Sequence, residues 1–92
     1  MKSFQRNSDK NAQLIVGRRV SFQDVIAALA RGDLLDILEH PNPQRYARQQ
    51  LFVVRIRDYA NLVPFVEDGT SVFLKTIIPS RKATRRYLAT ER

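Results

Sequence analysis

Four cations stand within six residues near the C-terminal end of this chain: Arg81, Lys82, Arg85 and Arg86, directly after Pro79-Ser80. An apolar run through Ile77 and Ile78 stops at the proline. Serine after such a stop suits a helix N-cap, where its hydroxyl accepts a hydrogen bond from a free N–H of the first turn. The spacing then predicts a short helix with Arg81 and Arg85 at i and i+4 on one side. Ala83, Tyr87 and Leu88 fall on another side and can pack inward. Guanidinium groups beside the free N–H groups of a helix start suit a phosphate. The plainer alternative is a solvated basic helix that only keeps the chain soluble.

Other residues could join that chemistry. Arg55 and Arg57 alternate with Phe52, Val54 and Ile56, so the pattern puts both arginines on one side of a strand. Lys75 shares a side with Phe73 and Ile77 on a later strand. Together, Arg55, Arg57 and Lys75 could line a groove with Arg81 and Arg85 at its mouth, a track for a phosphate backbone. His40 is the single histidine, and an imidazole near its usual pKa can serve as general acid or base. In His40-Pro41-Asn42-Pro43 it could equally be a structural or exposed turn residue. Tyr46, between Arg45 and Arg48, could stack on an RNA base; Tyr87 is better placed as a core residue. Asp33, Asp36 and Glu39 match no standard metal loop, and one histidine without cysteine leaves no zinc ligand set. No glycine-rich phosphate loop, dinucleotide fingerprint or Ser/His/Asp arrangement is present, so no cofactor is expected.

These residues need elements to hold them. Residues 8–18 read as a short helix closed by Gly17. Ser21 and Asp24 form a capping box before a second helix over 22–31, with Phe22, Val25, Ile26 and Leu29 on its buried face. Residues 34–39, 51–58, 62–67 and 71–78 read as strands. Pro64 marks the third as an edge or bulged strand, and Asp68-Gly69 as the turn of a hairpin. The order predicts an α+β fold: two N-terminal helices, a four-stranded, mainly antiparallel sheet with the helices over one face, and a basic C-terminal helix.

The chain has 92 residues and 43% hydrophobic content, the size of one small domain spanning 1–92. Its net charge is +7. Residues 1–20 carry five cations and one anion, 21–40 one cation and four anions, and 71–92 six cations and one anion. Basic ends around an acidic segment favour a polyanion, nucleic acid first, or an acidic protein. No apolar run reaches membrane length, the N-terminus lacks a signal-peptide core, and cysteine is absent, so a cytoplasmic protein is expected.

Two segments resemble the BrnT-type toxins of bacterial toxin–antitoxin pairs, relatives of the RelE-like ribonucleases. One is Lys10 followed at the family's spacing by Ser21-Phe22. The other is Ile77-Ile78 followed by Ser80-Arg81-Lys82-Ala83-Thr84-Arg85-Arg86. The chain departs from the family at Leu14, Arg18-Arg19, Thr76 and Tyr87, where Asn, His-Gly, Arg and an acid are usual. The resemblance implies a RelE-like fold and a metal-independent endoribonuclease that halts translation, held in check by a cognate antitoxin. It also implies roles. Arg81 and Arg85 would neutralise the scissile phosphate. Lys75 or His40 would supply a base, unless none is needed. Arg55, Arg57, Lys82, Arg86, Tyr46 and Lys10 would bind RNA. A non-catalytic RNA- or ribosome-binding module would use the same cations, and a protein-interaction domain would turn its basic ends to an acidic partner.

Overall fold

Two successive residues in left-handed backbone, Arg57 (φ 51°) and Asp58 (φ 62°), reverse the chain between its two longest strands, Gln49–Ile56 and Tyr59–Asp68. The two-residue turn matches the right-handed twist of a hairpin. It also places the later strand earlier than the sequence pattern suggests, because neither residue is the glycine or asparagine that usually announces such a turn. The computed structural model describes residues 3–42, 44, 45 and 48–88. Their elements are β1 Ser3–Arg6, α1 Ser8–Arg18, α2 Phe22–Ala30, β2 Leu34–Glu39, β3 Gln49–Ile56, β4 Tyr59–Asp68, β5 Ser71–Leu74, β6 Ile78–Pro79 and α3 Arg81–Tyr87.

The fold is α+β, with three helices against a mixed sheet of order β1-β5-β4-β3-β2, while β6 adds to another stretch of β4. It therefore has more strands than the four expected. Strand β1 carries no alternating apolar pattern that would announce it, and it pairs parallel with β5, Ser3 opposite Ser71. The expected strand over 71–78 breaks after Leu74. Beyond it Lys75 donates its N–H to the Pro64 carbonyl (2.8 Å), and β6 resumes pairing opposite Asn61 and Leu62. Pro64 lies within a central strand rather than at an edge. It sits at this break between β5 and β6, where its missing N–H interrupts no regular ladder.

Local signals set the first two helices. Asn7 caps α1 by accepting from the Lys10 N–H (3.0 Å). The helix runs through Gly17 and leaves helical geometry at Arg19 (φ 57°), two residues later than the glycine suggests. Ser21 and Asp24 form the reciprocal capping box of α2. The Asn11 side chain accepts from the Phe22 N–H (2.7 Å) and ties α1 to α2.

The helices do not all cover one face. Leu14, Phe22, Val25 and Ala28 of α1 and α2 bury against Phe52, Val54, Ile56, Val63, Phe65, Val72, Leu74 and Ile77. The opposite face receives α3, where Ala83, Tyr87 and Leu88 meet Val53, Ala60, Leu62, Leu35 and Leu38. Strand alternation makes this possible: Phe52 and Val54 point one way and Val53 the other. No helix among the described residues is long and apolar enough to cross a membrane.

Candidate nucleic-acid interface

Ser80 is extended (φ −131°, ψ 112°), and its hydroxyl accepts from the Ala83 N–H at 3.0 Å, as an N-cap should. Two further bonds fasten the start of α3 to the sheet, and a third within the helix supports them. The Ser80 N–H donates to the Ala60 carbonyl at 3.0 Å. The Ala60 N–H donates to Thr84 Oγ1 at 2.9 Å, and that hydroxyl donates to the Ser80 carbonyl at 2.7 Å. At the other end the Tyr87 hydroxyl donates to Asp36 Oδ2 at 2.7 Å. The hydrogen bond from Tyr87, then the Ile37 N–H and the charge of Arg86, hold the Asp36 carboxyl below its usual range. The same bond to Asp36 raises the Tyr87 phenol above its ordinary value. Neither fastening is visible in the sequence, since Thr84 with Ala60 and Tyr87 with Asp36 are meetings of distant segments.

With Ala83 and Tyr87 turned inward, Arg81, Lys82, Arg85 and Arg86 face outward. Among the described residues, Arg81, Lys82 and Arg85 meet no acid, while the Arg86 guanidinium lies 5.6 Å from the Tyr87 ring centroid. A short helix that merely adds charge needs no fastening at both ends. This one presents its guanidinium groups from a fixed base, which is what recognition of a phosphate requires.

The other candidate residues separate. Arg55 stands on the α3 face, opposite Ala60 in the ladder, and pairs with Asp58. Arg57 does not share that side. Its backbone has left the strand, and its guanidinium turns towards the α1–α2 joint, donating to the Arg19 carbonyl and lying 3.7 Å from Asp24. Lys75 and Phe73 share the α3 face, with the ammonium 4.9 Å from the ring centroid. Ile77, expected beside them, is buried in the opposite core because the strand breaks first. The carbonyl that receives the Lys75 N–H belongs to Pro64, four residues along β4 from Ala60 and so about 13 Å from the start of α3.

His40 is not brought to this site. Its N–H pairs with the Gln49 carbonyl and its Nδ1 accepts from the Asn42 N–H. Gln49 lies six residues along β3 from Arg55, about 20 Å from the strand end that holds the start of α3 and Arg81. Lys10 lies in the first turn of α1, on the other face of the sheet. Tyr46 falls outside the described residues. Among the described residues no three His, Asp or Glu side chains gather as a metal would require. A cavity of about 360 Å³ opens on the α1–α2 side between Phe4, Ile37, Phe52, Phe65 and Val72, with Gln50 and Glu67 at its rim. It contains no cation and lies away from α3. No family model, no curated protein and no solved structure matches this chain.

Proposed function

We propose that the protein is the toxin of a type II toxin–antitoxin pair, a BrnT-like, RelE-like endoribonuclease that binds RNA through α3 and halts translation in the cytoplasm. The observation that carries the reading is the outward row of Arg81, Lys82, Arg85 and Arg86 on a helix fastened at both ends to the sheet. In the cleavage step a ribose 2′-oxygen gives its proton to solvent as it attacks the adjacent phosphorus. The P–O5′ bond breaks and the departing 5′-oxygen takes a proton from solvent, leaving a 2′,3′-cyclic phosphate and a 5′-hydroxyl. Arg81 and Arg85 stabilise the extra negative charge on the pentavalent phosphorus, and Arg55 and Lys75 guide the flanking strand. No metal or cofactor takes part. The cognate antitoxin would set acidic side chains against α3.

Induction in a bacterial host tests this, with growth and protein synthesis followed for the wild type beside Arg81→Ala. Losing one such charge-stabilising group lowers a rate about 10²- to 10³-fold. Arrest by the wild type alone is the expected result, with equal amounts of soluble, folded protein. Full toxicity in Arg81→Ala would sink the assignment.

One observation favours a second reading, a non-catalytic RNA- or ribosome-binding module. His40 lies about 20 Å from the start of α3, where Arg81 stands, and the Tyr87 hydroxyl is committed to Asp36, so neither supplies Arg81 with a base. Mapping RNA ends after induction separates the two: new 2′,3′-cyclic phosphate ends belong to the ribonuclease, intact RNA to the module.

A further inference from the structure

We infer that the RNA path does not end at α3 but continues over the tip of the β3–β4 hairpin to the α1–α2 joint, where Arg19 and Arg57 bind further backbone phosphates. The inference rests on the RNA-binding reading above and extends the site to a second helix pair.

Hydrogen bonds bring three distant segments to this end of the sheet. Arg18 Nη1 donates to the Ile77 carbonyl, three residues before the cap of α3. Arg57 Nη2 donates to the Arg19 carbonyl. The Ser80 N–H donates to the Ala60 carbonyl beside the hairpin tip. Arg18, Arg19 and Arg57 therefore border the same end of the sheet as Arg81. The acids near them are Asp24, 3.7 Å from Arg57, and Asp58, paired with Arg55.

The backbone adds a second, separate argument. Arg19 and Arg57 both occupy left-handed geometry, with φ of 57° and 51°. Glycine or asparagine adopts such angles with less strain. Folding alone thus disfavours arginine at both positions. Arg19 is exposed, and among the described residues its guanidinium pairs with no acid. The negative end of α1 welcomes a cation, but Arg18 already provides one there. Arg57 has a structural return in its bonds to the Arg19 carbonyl and Asp24, but at Arg19 strain kept without one marks a functional position, and the retained property there is positive charge.

The test measures binding of fluorescent 2′-O-methyl oligouridylates of four and twelve nucleotides by anisotropy; these lack the 2′-hydroxyl that cleavage would consume. The wild type should bind both, the longer more tightly. Arg81→Ala should weaken both. Arg19→Gly should weaken the twelve-mer about three- to tenfold and flatten its salt dependence by about 0.7 in log–log slope. It should leave the four-mer unchanged. The same variant should melt roughly 4 °C higher, because glycine relieves the strain. Unchanged affinity for the twelve-mer, or equal losses at both lengths, would overturn the inference while leaving α3 as an RNA site. A wild type that binds neither oligonucleotide removes the RNA-binding reading and this extension with it. Arg19→Asn repeats the measurement if the glycine variant loses its fold.

Discussion

The two faces of the sheet are held by different physics. Beneath α1 and α2, thirteen buried apolar residues form a continuous core, Phe22 and Val54 among them. Among the described residues the cluster beneath α3 is small, with Val53, Ala60 and Ala83 as its buried members, and hydrogen bonds from Ser80, Thr84 and Tyr87 hold the helix in place. Apolar burial is non-directional and scales with area, so it fixes the fold but tolerates small shifts. Hydrogen bonds are directional, so they fix where Arg81 and Arg85 point. The face that bears the charges is the face whose position is specified by polar geometry.

The sharpest way to break this contrast is on the apolar side. Phe22 is fully buried, and Phe22→Ala should cost about 3–5 kcal/mol. For a chain of this size that is a large share of the total stability, and urea unfolding should show the whole sheet lost together. On the other face the effect should be smaller and local. Thr84→Val removes the acceptor for the Ala60 N–H and should cost about 1–2 kcal/mol. Amide exchange should quicken in α3 and at Ala60 while α2 stays protected. Equal quickening in α2 would erase the distinction between the faces.

The smallest effect concerns pH. The folded pKa of Asp36 is lowered by Tyr87, so its contribution is present above the ordinary carboxylate range and is lost as pH falls through the folded value. Tyr87 is raised, so its contribution is full below the ordinary tyrosine range and is lost as pH rises through the folded value. Protection of α3 should therefore be greatest between those limits and decline on both sides. Asp36→Asn should abolish the acid-side decline in α3 exchange; a wild-type profile in that variant would show that Tyr87 is held by something else.

Features with local causes were legible in the chain. The Ser21–Asp24 box, the Ser80 cap, the bounds of β2 and the inward side of α3 all follow from residues within one or two turns of each other. The misses share another cause. Strand β1 depends on β5, 68 residues away at Ser3 and Ser71, and no pattern in Ser3–Arg6 points to it. The turn at Arg57-Asp58 lacks the glycine that would have announced it, so alternation carried past Ile56 put Arg57 on the wrong side. His40 could be judged by residue type but not by place, because only the β2–β3 register shows how far it lies from α3. Of the candidate site, α3 and its cations were readable; the company they keep was not.

The parallel pairing of β1 with β5 also sets an order of events during synthesis. The ribosome delivers Phe4 well before Val72, yet the two lie side by side in the finished sheet. Chains fold as they emerge from the N-terminus, and closing a loop of this length has an entropic cost before any contact repays it. Strand β1 therefore takes its place only after β5, made later, has appeared. In the interval β1 has no neighbour, and the growing chain is open to wrong strand pairing until residue 74 appears.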